Sequence, residues 1–206
     1  MASNTSTGSQ PADPYTAKAK DTNESLLTKL DEFSTFIKAC KFGMLVTRVG
    51  ETGQLTSRAM ALAATENHGT DLLFHTNTES GKTDSIESDG AVNMSFLDSS
   101  GQWASVSGTA SVDTDRSLVH KYYSPALKAW LGDLGDGTHD GGPDDPRIGV
   151  IRVKSDLITY GVTNVTVVGR ALEVAKGVVT GETPGFMKVK DITKQELESA
   201  RNGSIV

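Results

Sequence analysis

Apolar residues at Leu26, Leu27, Leu30, Phe33, Phe36 and Ile37 recur at steps of three and four, which predicts one buried face of a helix. Thr22 or Asn23 is placed to cap it and Gly43 to stop it. From Phe42 the period changes to two. FGMLVTRVG and GQLTSRAMALA, parted by the turn ETG, predict a hairpin, and DLLFHT at 71–76 predicts a third strand after the polar connection ENHGT. SGKTDSIES, Ser80 to Ser88, reads as a short helix, and AVNMSFLD, Ala91 to Asp98, as a fourth strand. QWASVSGTASV follows as a fifth, in which Trp103, Ser105, Ser107 and Thr109 share one face while Ala104, Val106 and Gly108 share the other. Small side chains on both faces imply a closely approached backbone.

Residues 115–131 carry a helical pattern interrupted at Pro125, and Leu131 to Pro146 reads as an irregular loop. Two further strands are expected, from Arg147 to Gly161 and from Val165 to Gly177, then a GETPG turn and a last helix from Ile192 to Ala200. Residues 1–20 are too poor in apolar side chains to offset ordering and read as a disordered tail. The expected division is a tail over 1–20, one domain over 21–180, and an extension over 181–206. Six or seven strands around one core predict a mainly β, antiparallel barrel with peripheral helices, because curling a sheet closes its edges. No G-x-G-x-x-G follows a strand, and strands do not alternate with long helices, which excludes a dinucleotide fold.

Composition narrows the partners. A net charge of -6 over 206 residues, without a Lys or Arg run, argues against nucleic acid or a membrane surface as partner. A phosphorylated ligand would have to be met by individually placed cations. Cys40 is the only cysteine, so no intrachain disulfide or thiolate cluster can form. With no apolar leader and no run long enough to span a bilayer, a cytoplasmic setting is expected. His68, His75, His120 and His139 fall in different elements, so no metal site is expected, and Asp133, Asp136, Asp140, Asp144 and Asp145 read as a solvated acidic loop without calcium-loop spacing.

Three residues could carry binding chemistry. Arg58 on the second strand is either a solvated edge or an anion clamp, since a guanidinium holds two phosphate oxygens at once. Lys82 starts the short helix, just after Thr76, Asn77, Ser80 and Gly81. Free N–H groups at a helix start favour phosphate, although Lys and Ser near a cap are also ordinary surface chemistry. Trp103 offers either a flat contact to a ring or a core side chain.

The segments FGMLVTRVGETGQLTSRAMAL, DLLFHTNTESGKTDSIESDGAVNMSFLDSSGQWASVSGTASVDTD and DDPRIGVIRVKSDLITYG together resemble the pyridoxamine 5'-phosphate oxidase-like superfamily, in its general stress protein 26 branch with fungal blue-light-inducible relatives. The resemblance spans about Leu26 to Ala175. It implies an FMN-binding split barrel with the flavin at a homodimer interface, and FMN ahead of FAD. It further implies that Arg58, Ser80 and Lys82 bind the phosphate and that Ala59 and Met60 line the flavin through their backbone. Phe74, His75 and Thr76 would border the ring and ribityl chain, and Trp103 would approach from the neighbouring subunit or strand. The helical segment near Trp130 and the strand start at Arg147 would also reach the pocket.

Three departures from the family pattern limit the activity. Gln102, Trp103, Ala104 and Ser105 replace the basic pattern of the family oxidases, the carboxy-terminal Arg and His motif for pyridoxal phosphate is missing, and Tyr160, Gly161 and Val162 replace one expected wall. No catalytic residue can be named. Tyr122, Tyr123 and Trp130 read as an aromatic patch against the barrel or a dimer partner, and Cys40 as a small buried hydrophobe. Three functions stay open: a flavin oxidoreductase acting on a small-molecule substrate, a flavin-binding protein without turnover, and a stress-related homodimer without flavin.

Overall fold

The computed structural model describes residues 24–163 and 187–205, together with positions 19, 176, 178 and 180. The expected tail over 1–20, the strand from Val165 to Gly177 and the GETPG turn lie mostly or wholly outside the described residues. Helix α1 (Leu26–Cys40) leads into strands β1 (Phe42–Arg48), β2 (Leu55–Glu66) and β3 (Asp71–Asn77). Helix α2 (Gly81–Ser88), strands β4 (Ala91–Leu97) and β5 (Trp103–Asp113), and helices α3 (Arg116–Tyr122) and α4 (Ala126–Leu131) follow. Strands β6 (Ile148–Thr163) and β7 (Met187–Ile192) and helix α5 (Lys194–Arg201) complete the chain.

All strand pairs are antiparallel, in the order β3-β2-β1-β4-β5-β6-β7, and an added β3–β6 pairing closes six of them into a barrel. The closure is made by β6, whose first half, Ile148 to Lys154, pairs with β3 while its second half, Ile158 to Thr163, pairs with β7. Alternation sends Leu45, Met60, Phe74, Met94, Val106 and Tyr160 into one core. Leu30, Phe33, Phe36 and Ile37 of α1 plug one end of it.

Ser25, rather than Thr22 or Asn23, caps α1, its hydroxyl accepting from the Thr28 amide at 3.2 Å. Lys41, in the left-handed region at φ 64°, ends the helix before Gly43. Gly43 serves the barrel instead: a Cβ there would stand 2.6 Å from Met94 Cε and 2.8 Å from Phe96 Cε1. Buried Lys190 on β7 donates to both Glu24 and Glu32 at 2.6 Å and ties α1 to the sheet. A smaller cluster on the outside of β3 and β6, with Leu73, Ile148 and Val150, is covered by Val119 of α3 and by Tyr122 and Tyr123. Among the described residues no helix is long and apolar enough to cross a membrane.

Candidate functional site

The Arg58 side chain shares the inward face of β2 with Met60, opposite Leu45 of β1. At this end of the barrel the core gives way to hydroxyls, and the guanidinium donates to Thr56 Oγ1 at 2.8 Å and Thr47 Oγ1 at 3.4 Å. Lys82, in the first turn of α2, donates to Ser80 Oγ at 2.7 Å. Burial pushes its ammonium below the usual lysine range, and the nearby Arg58 charge pushes the same way. Two cations therefore stand close enough to repel each other, and neither has a carboxylate partner among the described residues.

The start of α2 adds to this positive field. Its cap residue Ser80 accepts no bond from the helix backbone N–H groups, and its hydroxyl donates to the Asn77 carbonyl at 2.7 Å. That carbonyl also accepts from the hydroxyls of Thr76 at 3.1 Å and Thr83 at 3.3 Å. Thr76, Ser80, Lys82 and Arg58 thus converge on one end of the barrel, where helix N–H groups favour an anion. Thr47 and Thr56 were missed by sequence reasoning. Their signal was available in the hairpin register, which sets them directly opposite each other.

The other expected residues are placed differently. Ala59 is exposed on the outer face of β2 and Met60 points into the core. Phe74 is fully buried inside the barrel, so only its backbone borders the outside. His75 shares the outer side of β3 with Leu73. Its Nε2 is buried without a hydrogen-bond partner, and burial pushes its pKa down against the opposing pull of the Tyr122 carbonyl, which favours a neutral ring at pH 7. Trp103 opens β5, and its indole lies against Gly161 of β6, where a Cβ would be 2.8 Å from Nε1. The Gly in place of the expected wall therefore makes room for the indole, while Tyr160 beside it points inward and donates to the Lys29 carbonyl at 3.0 Å. Within one chain Trp103 stands three strands from Arg58, about 14 Å across the sheet.

Four expectations are corrected. Arg147 does not reach a pocket: it is 6% exposed, donates to fully buried Asp145 and spends its other N–H groups on the carbonyls of Leu131 and Gly132. Asp145 is accordingly a buried strut, held well below the usual carboxylate range by Arg147, and not part of a solvated loop. The aromatic patch divides, since Tyr122 and Tyr123 seal the smaller cluster whereas Trp130 is 85% exposed. Cys40, expected to be buried, is half-buried and borders an open cleft.

Outside the barrel, β2, β1, β4 and β5 present one uncharged face. Its cross-strand rows run Ala59, Met44, Ser95, Ser105 and Ser57, Val46, Asn93, Ser107. Asn93 Nδ2 donates to Ser105 Oγ at 2.9 Å and Ser95 Oγ donates to Asn93 Oδ1 at 2.8 Å. Met44 at 43%, Phe42 at 57% and Leu97 at 72% leave apolar surface open on or beside it.

The closed six-stranded barrel with one strand added at β6 and helices around it defines a split-barrel protein. The family described as pyridoxamine 5'-phosphate oxidase like matches residues 28–185, and the chain belongs to it. It is 55% identical to protein bli-3 of Neurospora crassa over 201 residues, which cover 97% of this chain and 96% of that one. General stress protein 26 from Bacillus anthracis is similar in structure, with a TM-score of 0.54 at 25% identity, covering 64% of this chain and 92% of the other. A pyridoxamine 5'-phosphate oxidase-related, FMN binding protein from Nostoc punctiforme shares the fold at a TM-score of 0.50 and 12% identity, covering 66% and 81% of the two chains.

Proposed function

We propose that the chain is an FMN-binding flavoprotein that works as a homodimer in the cytoplasm, with the flavin phosphate held by Arg58, Lys82 and the start of α2. The observation that carries this reading is the pair of neighbouring cations without a carboxylate partner among the described residues, beside a helix start whose cap hydroxyl is turned elsewhere. A terminal phosphate relieves their repulsion: the guanidinium takes two oxygens and the ammonium a third. A single such cradle favours FMN over FAD. The backbones of Ala59 and Met60, with Phe74, His75 and Thr76, would border the ribityl chain and ring. Bound there, the isoalloxazine supplies the electron-accepting chemistry. The chain's own residues bind, orient and exclude water.

The dimer rests on two further observations. Trp103 lies on the outer face of β5, alternating with buried Ala104 and Val106, whereas Arg58 lies on the inward face of β2, and the uncharged outer face lies between them. A second copy packed on that face would bring its Trp103 toward the first copy's cradle.

A role as an oxidoreductase for a small molecule is the leading reading, and flavin binding without turnover is the second. The latter is favoured by Gln102, whose amide donates to Asp98 at 2.9 Å and accepts from the Thr163 N–H at 3.0 Å, both within its own chain. The deciding experiment follows the visible flavin band through gel filtration of the protein mixed with FMN. Coelution at one flavin per chain, lost in an Arg58→Ala/Lys82→Ala double variant, is expected; no retained flavin overturns the proposal. NADH or NADPH reducing bound FMN faster than free FMN then separates turnover from binding alone.

A further inference from the structure

At the barrel end plugged by α1, a cleft of about 620 Å³ opens between α1, the β4–β5 turn and the last residues of β6. It is separate from the cation pair. Cys40, on its wall, ends α1 with one residue between it and the start of β1 at Phe42, whereas Thr47, which accepts from Arg58, lies about 16 Å along that strand from Phe42. The volume is that of a site for a small organic molecule, in the range of about 300 to 1,000 Å³.

Its walls have a definite chemistry. Phe36, Ala39 and Val162 supply apolar surface, and Asp31, Glu32 and Asp98 supply three carboxylates, with no Lys or Arg among the described lining residues. Glu32 shares Lys190 with Glu24. For Asp98, burial raises the pKa, and the hydrogen bonds from Ser100 and Gln102 more than offset it, so this carboxylate is ionised at neutral pH. Asp31 has no ion pair or hydrogen bond among the described residues. Burial first, and the Asp98 charge second, push the pKa of the Cys40 thiol up.

We propose that this cleft is a second binding site, independent of the flavin reading, for an organic cation with an ammonium group on a compact apolar body. The ammonium meets Asp31, the one carboxylate of the three without a partner among the described residues, and the apolar body lies along Phe36 and Val162. Phosphorylated or carboxylated molecules are turned away by the same charges.

The single cysteine makes the test direct. The full-length protein is alkylated with N-ethylmaleimide and the modification of Cys40 is followed by mass, with 2-phenylethylamine, 2-phenylethanol or 3-phenylpropionate present. The amine is expected to slow alkylation saturably, while the alcohol and the acid leave it unchanged at equal concentration. Asp31→Asn, a change at an exposed position, should weaken the amine's half-saturation about tenfold, with each protein's protection taken relative to its own ligand-free rate. Equal protection by amine and alcohol, no protection by the amine, or no effect of Asp31→Asn overturns the proposal. So does a Cys40 that fails to react without ligand, because the cleft is then closed.

Discussion

Single residues in this chain divide into those that hold charge apart and those that bring it together. Arg58 and Lys82 stand together uncompensated, so each alone should contribute a charge-assisted bond to a bound phosphate. Arg58→Ala or Lys82→Ala is expected to weaken FMN binding by about ten- to a hundredfold, read by fluorescence titration, with little change in melting temperature. A variant that binds FMN as tightly as the parent removes that residue from the cradle. Arg147 is the opposite case, because its charge is fully spent on Asp145 and two carbonyls. Asp145→Ala leaves the buried guanidinium without its carboxylate and should lower the melting temperature by roughly 10 °C. An unchanged transition in differential scanning calorimetry would contradict the strut. Along the chain both arginines look alike, a cation at or near a strand, and only the long-range partners separate them.

Between elements, the Glu66 carboxylate at the end of β2 gathers α3 and β6. It accepts from Tyr122 Oη, from Lys121 Nζ at 3.1 Å and from Arg152 Nη1 at 2.5 Å. The Tyr122 hydroxyl first, and Arg152 next, lower its pKa to about 2. A carboxylate depressed on folding stabilises the fold above its unfolded pKa, near 4.5, and that contribution is lost as pH falls toward 2. Chemical denaturation from pH 6 down to pH 2 should therefore show stability falling across this window, and Glu66→Gln should flatten part of the fall while costing about 1 to 3 kcal/mol at pH 7. Identical pH profiles for the two proteins would exclude Glu66 as its source. Most elements were legible because their signals are local: the period of two in β4 and β5, the Ser80 start of α2, the Pro125 break before α4. What was not legible depends on distant pairing. The Glu66 network joins residues up to 86 positions apart, the β3–β6 closure joins two separate segments, and β7 in MKVKDI alternates too weakly to stand out without β6 beside it. The site was readable in the same measure, for the Thr76 to Lys82 cluster is local, while the approach of Arg58 to it needs the barrel.

For the whole molecule, the placement of Trp103 and the cation pair on opposite faces of the barrel wall decides the argument. If a second copy supplies Trp103, the outer face of β1, β2, β4 and β5 must be covered, and a two-fold contact sets equivalent patches against each other. Met44 stands in the middle of one of the uncharged rows, between Ala59 and Ser95. Met44→Lys would then bury two unpaired charges per dimer, one from each copy, at a cost of several kcal/mol. The side chain points away from the barrel core, so the monomer's fold should survive, as circular dichroism would report. Sedimentation equilibrium should show the parent as a dimer and the variant as a monomer, with dimer affinity reduced by more than about a thousandfold. The monomeric variant should also lose retained flavin even though Arg58, Ser80 and Lys82 are unchanged, because half of each ring's surroundings has been removed. A monomeric variant that retains FMN at parental affinity would confine the flavin site to one chain, and a parent that is itself monomeric would leave Trp103 and the cradle as unconnected features of the fold.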